Sequence, residues 1–229
     1  SLPRPMALTP TLNAAGDLPA DAAAVLEFWY GSLAERADPA YAHRYALWFG
    51  RDADEDIRAR FGALVERLGA DAAERSRWCA SARGALAVII ALDQLNRNIH
   101  RATARMFAHD ELCLEIARAL VRDGAHVDGS LTPPECAHMS VCLSHSEDEA
   151  DHKLNVETLF PQLLHSPLVA PAQREHLRGH LHMARVHCDE VSRWKRFPHR
   201  NALLGRESSA EELAWLAARD YGYHRQTRK

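Results

Sequence analysis

Residues 85–101 read ALAVIIALDQLNRNIHR, and this stretch decides the fold. From Ala85 to Leu92 it is apolar without a break. A helix built from it has no face fit for water, so neighbours must cover it all round. The run then ends abruptly in Asp93, Gln94, Asn96, Arg97, Asn98, His100 and Arg101. A dense polar cluster at the end of a core element is where a site is expected.

Working outward, alternating strand-like patterns are almost absent, and Ala, Leu, Arg and Glu dominate. Gly and Pro recur at intervals of a helix or two, as in helices joined by short turns. The pattern predicts an all-α protein. The central helix spans Ala82 to about Asn98, with Ser81 as its N-cap. Upstream, a helix is expected over Leu18–Tyr30, stopped by Gly31. Tyr45, Trp48 and Phe49 read as an aromatic plug. Asp52 with Glu55 has the form of a capping box. It precedes a one-sided stripe of Ile57, Phe61, Leu64, Val65 and Leu68. Downstream, Thr103 marks a start and Gly124 a stop. Thr132, Pro133 and Glu135 open a helix that ends near Leu143. The next opens in Ser144–Asp151 and runs to about Leu159, with Pro161 ending or kinking it. The longest helix spans Pro171 to about Phe197. A last one, capped by Ser208 or Ser209, extends through Tyr221.

About eight or nine helices with short links favour antiparallel hairpins stacked side by side. No consensus repeat of about 34 residues is visible, so any tetratricopeptide-repeat-like superhelix has degenerate repeats. Residues 17–222 are expected to form one helical domain. Residues 1–16 read as a disordered or tag-like segment, and 223–229 as a frayed basic tail.

The chain has 229 residues, 47% of them hydrophobic and 26% charged, with a net charge of −3. That balance lacks the basic excess of a nucleic-acid binder. No run of about eighteen apolar residues suggests a membrane span. Five cysteines without a CxxC pair fit reduced thiols and a cytoplasmic setting.

Three polar clusters can carry chemistry. Asp93 and Arg97 stand at i, i+4, the favourable order for a helical ion pair. Such a pair can be purely structural. Alternatively, Arg97 and Arg101 can form the floor of an anion site, because a guanidinium grips two oxygens at once. The second cluster is SHSEDEADH, 144–152. His145 and Glu149, and Asp148 and His152, share helix faces and are weak metal-ligand candidates. Against that stands an acid-rich first turn that suits the helix dipole. His145 beside Glu147 or Asp148 is also a candidate general base. The third cluster is FPHRNALLGR, 197–206, where His199, Arg200 and Asn201 either cap the long helix or bind a ligand. His176, His180 and His187 share the long helix and are expected on a solvated face. Cys142 lies three residues before His145 and is expected in the core. No GxSxG elbow, P-loop or Gly-rich dinucleotide turn occurs.

Taken together, LEFWYG (26–31), LWFGRDADEDIRARFG (47–62), ALAVIIALDQLNRNIHR with MFAHD, HSEDEAD and RFPHRNALLGRESSAEE resemble the bacterial family called domain of unknown function 924. The motifs occur in order from about residue 21 to 217. The resemblance implies a tetratricopeptide-repeat-like helical fold. It also places Asp93, Gln94, Arg97, Asn98, Arg101, His145, Ser146, Glu147, Asp148, Phe197, Pro198, His199, Arg200, Asn201 and Gly205 at motif positions. The family pattern reads DQFPRN where this chain has Leu95 and Asn96. Ahead of HSED, the chain has HMSVCLS where the family is more apolar and aromatic. The resemblance carries no activity with it, and a shared fold would not supply one.

The leading expectation is a binding cleft in which the three clusters converge. Asp93, Arg97, Asn98, Arg101, His199, Arg200 and Asn201 would hold a small polar or anionic molecule or a peptide terminus, without a cofactor. One alternative is a hydrolase using His145 with Glu147 or Asp148, with or without a metal. The other is an interaction scaffold, for which Trp29, Trp48 and Trp215 are the residues to test for exposure.

Overall fold

The structure, a computed structural model, describes residues 18–218, and every regular element among them is helical. Helices α1 (Ala20–Tyr30), α2 (Leu33–Ala37) and α3 (Tyr45–Phe49) lead to α4 (Asp54–Ala70) and α5 (Ala72–Trp78). The central element starts as α6 (Ala82–Ile89), widens into a π-turn over Ile90–Leu95, and resumes as α7 (Asn96–Ile99). A 3-10 turn, Ala104–Phe107, precedes α8 (Asp110–Arg122) and α9 (Pro133–Leu143). Helix α10 (Glu149–Lys153) passes through a second π-turn, Leu154–Leu159, into α11 (Phe160–His165). The chain then forms the long α12 (Pro171–Trp194), a 3-10 turn at Pro198–Arg200 and α13 (Ala210–Ala218). Among the described residues, no helix is long and apolar enough to cross a membrane.

The all-round burial demanded by the apolar run is met. Every residue from Ala85 to Leu92 has no exposed surface. Helices α1, α5, α8 and α9 pack around α6, while α4 covers the π-turn and α7. Helix α9 in turn packs against α12, and α12 against α10. The polar end sinks with the apolar one: Asp93, Gln94, Asn96, Arg97 and Asn98 are all buried.

Local chemistry explains most boundaries. Ser81 Oγ accepts from the Gly84 amide at 3.1 Å and starts α6. Gly84 also permits a close approach, since a Cβ there would lie 1.9 Å from the Trp78 carbonyl oxygen. Ser209 and Glu212 form a reciprocal box, each backbone N–H donating to the other's side chain. Lys195 ends α12 in a left-handed conformation, φ 57°, before Phe197 is reached. Pro161 does not end its helix. The π-turn just before it widens the helix where a proline ring would otherwise crowd the preceding turn.

Several expectations change. Asp52 does not cap α4, whose N-cap is Ala53 with no side-chain hydrogen bond. The first helix starts at Ala20, after Pro19, rather than at Leu18. The aromatic plug is Trp48 alone; it packs against Trp29 and donates Nε1–H to the Trp29 carbonyl at 2.9 Å. Tyr45 and Phe49 are exposed. Residues 1–16, 223–229 and the expected end at Tyr221 lie outside the described residues. All five cysteines are free thiols.

Truncating Ile90 to Ala inside the fully covered run should cost about 2–5 kcal/mol in urea denaturation. The same change at exposed Leu213 should stay within about 0.5 kcal/mol. Equal effects at both positions would contradict this placement of the core.

Candidate functional site

The π-turn carries Asp93 into the interior with its carboxylate fully covered. A buried carboxylate must be paired and hydrogen-bonded. Arg97 Nη2 donates to its Oδ1 at 2.9 Å, and His145 Nδ1 donates to the same oxygen at 2.8 Å. Gln94 supplies a further N–H to Oδ2. Arg97 reaches on to Asp110 at 2.7 Å and to the Met106 carbonyl at 3.1 Å. From the third cluster, Arg200 donates to the His145 carbonyl at 2.8 Å and stands 3.3 Å from Asp110. Both guanidinium groups stack on Phe107, at 5.3 Å and 4.7 Å. Two acids and two arginines thus close a buried, charge-balanced network around His145.

This network forms one wall of a cavity of about 480 Å³. Its polar lining includes Arg97, His145, His180, His187, His199 and Arg200. The remainder is mostly apolar: Tyr45, Phe49, Met106, Phe107, Val141, Met183, Ala184 and Phe197. Tyr45, Phe49 and Met183 are exposed and mark the side facing solvent. A second, more open groove lies beyond His145, Arg200 and Phe107, which line both spaces. Glu111, Arg118, Asp148 and Lys195 line the groove beside Leu114.

Burial dominates the electrostatics. Burial lowers His145 below the ordinary imidazole value, and Arg97 lowers it further against Asp93. His187 is lowered by burial and the neighbouring His145, and His199 by burial and Arg200. Burial alone would raise the Asp93 carboxyl, but His145 and Arg97 hold it below its usual range. With His145 neutral, Nδ1 carries the proton given to Asp93. Nε2, across the ring, keeps its lone pair and has no hydrogen-bond partner among the described residues. Burial pulls Arg200 down to about 10, with Asp110 opposing and Arg97 adding to the fall.

The family model described as a bacterial protein of unknown function, DUF924, matches residues 25–220. The chain belongs to the DUF924 family. A solved structure of a protein of unknown function from Agrobacterium tumefaciens is similar, at 30% identity and a TM-score of 0.66. The similarity covers 86% of this chain and 97% of that one. No curated protein matches.

In this DUF924 chain, Arg97, His145, His199 and Arg200 come together on the cavity wall, with Asp93 directly behind His145. Asn98 and Arg101 instead hold Asp54, at 2.8 Å and 2.6 Å, and tie α7 to the start of α4. Asn201 is fully buried and donates to Ser208 at 3.0 Å. The carboxylate partner of His145 is Asp93, 52 residues away in sequence. Glu147 is gripped by Arg206 at 2.6 Å and 2.9 Å, and accepts the Phe197 amide at 2.8 Å. Asp148 caps α10 through the Ala150 amide. The weak metal candidates do not converge: Glu149 pairs with Lys195, and His152 contacts the Ser146 carbonyl at 2.8 Å. Among the described residues, no group of three or more His, Cys, Asp or Glu is placed to hold a metal ion.

Sequence reasoning missed Phe107, Asp110 and His187. Phe107 and Asp110 stand in the MFAHD motif, whose residues carry no local signal of a role. His187 sits on α12, and nothing in its spacing separates it from exposed neighbours. His180, expected on a solvated face, lines the cavity, and burial with His176 lowers it to about 4. Cys142 is buried, and burial with Asp93 nearby raises its thiol well above the ordinary value.

His145, His187 and His199 are lowered in the fold, so the unfolded chain binds more protons below about pH 6.5. Stability is therefore full above that value and falls on acidification toward the folded pKa values. Urea denaturation should show a decline from about pH 7 to about pH 5, before most carboxylates titrate. A flat profile across that window would show that these imidazoles are not neutral in the folded chain.

Proposed function

We propose that the cavity binds a small molecule with an apolar body and one acidic or carbonyl head, the head lying against Arg97, Arg200 and His145. One observation carries the reading: a cavity with mostly apolar walls is also lined by two arginines and four histidines. Its volume of about 480 Å³ lies within the roughly 300–1,000 Å³ of small-molecule sites. Apolar walls supply affinity, and a few convergent polar groups fix orientation.

Charge balance supports a definite pH dependence. Asp93 and Asp110 already neutralise Arg97 and Arg200. An added carboxylate therefore introduces uncompensated negative charge, most simply met when a wall histidine takes up a proton. Binding of an anion then strengthens as pH falls. Arg200 is the less compensated arginine, with its Asp110 contact at 3.3 Å against 2.7 Å for Arg97. A peptide terminus fits the same wall only if its adjoining side chain is apolar. A scaffold role has less support, because Trp29 and Trp48 are buried and Trp215 is half-buried.

Thermal melting against straight-chain carboxylates and the corresponding alcohols tests this. Carboxylates of intermediate length should raise Tm, and more strongly near pH 6 than near pH 8. Arg200→Gln should weaken binding roughly ten- to a hundredfold, as loss of about 1.5–3 kcal/mol from a charged hydrogen bond implies. Equal shifts by acid and alcohol, unchanged in the variant, would refute the polar wall as the head-group site.

A further inference from the structure

The two spaces on either side of His145 differ in kind. One is mostly apolar; the other is more open and lined largely by charged residues. His145, Arg200 and Phe107 form the wall they share. We propose that the chain hydrolyses an ester or amide of an apolar carboxylic acid, with the acyl group in the mostly apolar cavity, the polar leaving group in the more open groove, and the scissile carbonyl at His145. This deepens the binding site proposed above and rests on it: the bound carboxylate becomes the product.

The residues present specify the route. Ser144 and Cys142, near His145 in sequence, are both engaged. Ser144 Oγ donates to the Ser140 carbonyl at 3.0 Å and accepts from Asn155 at 3.0 Å. The Cys142 thiol is buried and kept protonated. The proposed nucleophile is water. Asp93 fixes the imidazole with its proton on Nδ1, which leaves Nε2 to act as a general base. Burial keeps that nitrogen unprotonated at neutral pH.

Nε2 removes a proton from water while the oxygen bonds to the carbonyl carbon. The carbonyl electron pair moves to its oxygen, and that negative charge is met by Arg200, with Arg97 behind it. As the tetrahedral intermediate collapses, the bond to the leaving group breaks. The imidazolium returns its proton to the departing oxygen or nitrogen. One water is consumed, and a carboxylic acid and an alcohol or amine are released. During the step, the imidazolium and the oxyanion offset each other, so the balanced network of two acids and two arginines gains no net charge. In these terms His145 is the catalytic residue and Asp93 a positioning residue.

The test uses the full chain with p-nitrophenyl esters from acetyl to dodecanoyl, and melting shifts with the matching carboxylates. Turnover should peak at an intermediate acyl length. The kcat/KM profile should rise through one ionisation below the ordinary histidine value and then level off. His145→Gln should lower kcat/KM by roughly 10²–10⁴-fold. Asp93→Asn should lower kcat more than it raises KM and displace the acid limb of the profile, which a merely structural role would not do. Undiminished turnover in His145→Gln would overturn the proposal, as would the absence of turnover at every acyl length. If carboxylates still raised Tm in that second case, binding would stand and hydrolysis alone would fall. Turnover that needs His145 but ignores acyl length would overturn the placement of the acyl group. Failure of the binding site itself would appear separately, as no shift with any carboxylate.

Discussion

The Asp93 carboxylate has no exposed surface, and the polar half of the structure is arranged to satisfy it. An isolated buried carboxylate is costly enough that it would take up a proton instead. Here it faces one guanidinium, one imidazole N–H and one amide. Each partner then needs its own second contact. Arg97 finds Asp110, Asp110 meets Arg200, and Arg200 returns to the backbone of His145. Phe107 lies against both guanidinium groups. Removing any one charge strands another in a low-dielectric interior, so the parts stand together. Elements as distant in sequence as the π-turn, the start of α8 and the turn after α12 are joined by this one requirement.

The π-turn is how the central helix delivers that carboxylate. An α-helix continued from Leu86 to Ile99 would hold one rotational phase throughout. The i→i+5 bond from the Asn96 amide to the Ala91 carbonyl inserts extra backbone and shifts the phase of α7 relative to α6. The widened turn falls where the family pattern has proline at the position of Asn96. A proline there lacks the N–H and crowds the carbonyl four residues earlier, and a widened turn relieves that crowding. In this chain Asn96 restores the N–H. Its side chain also holds the Arg105 carbonyl at 2.9 Å, clamping the 3-10 turn that presents Phe107.

The legibility of these features in the sequence depends on the range over which each interaction acts. The all-round burial of Ala85–Leu92 was readable because an unbroken apolar run permits one solution. Ser81, Gly124 and the Ser209–Glu212 box were readable because caps act over three or four residues. The Asp93–Arg97 pair was readable for the same reason. The Asp93–His145 contact was not, since it joins residues 52 positions apart and local spacing carries no trace of it. Reading His145 against Glu147 and Asp148 favoured near neighbours. Those two acids meet Arg206 and the α10 amides instead, because a first-turn acid is drawn to nearby N–H groups. The π-turns were invisible too. They arise from packing and from proline positions rather than from any propensity of IALDQL or LNVETL.

A purely structural network is the plainest rival to a functional one, and its physical requirements separate the two. Replacing a buried ion pair by packed apolar side chains is often neutral or stabilising, so such a pair is weak support for a stability role. A structural network is best served by complete enclosure, which strengthens each contact and leaves nothing unfilled. That description suits Glu135, fully buried and paired with Arg36 at 2.8 Å. It does not suit His145. Asp93 holds its Nδ1 edge, while the residue lines both the mostly apolar cavity and the more open, charged groove. A residue that only braces the fold needs no access to either space, and His145 reaches both. That is the arrangement required if a molecule from outside is to meet its imidazole.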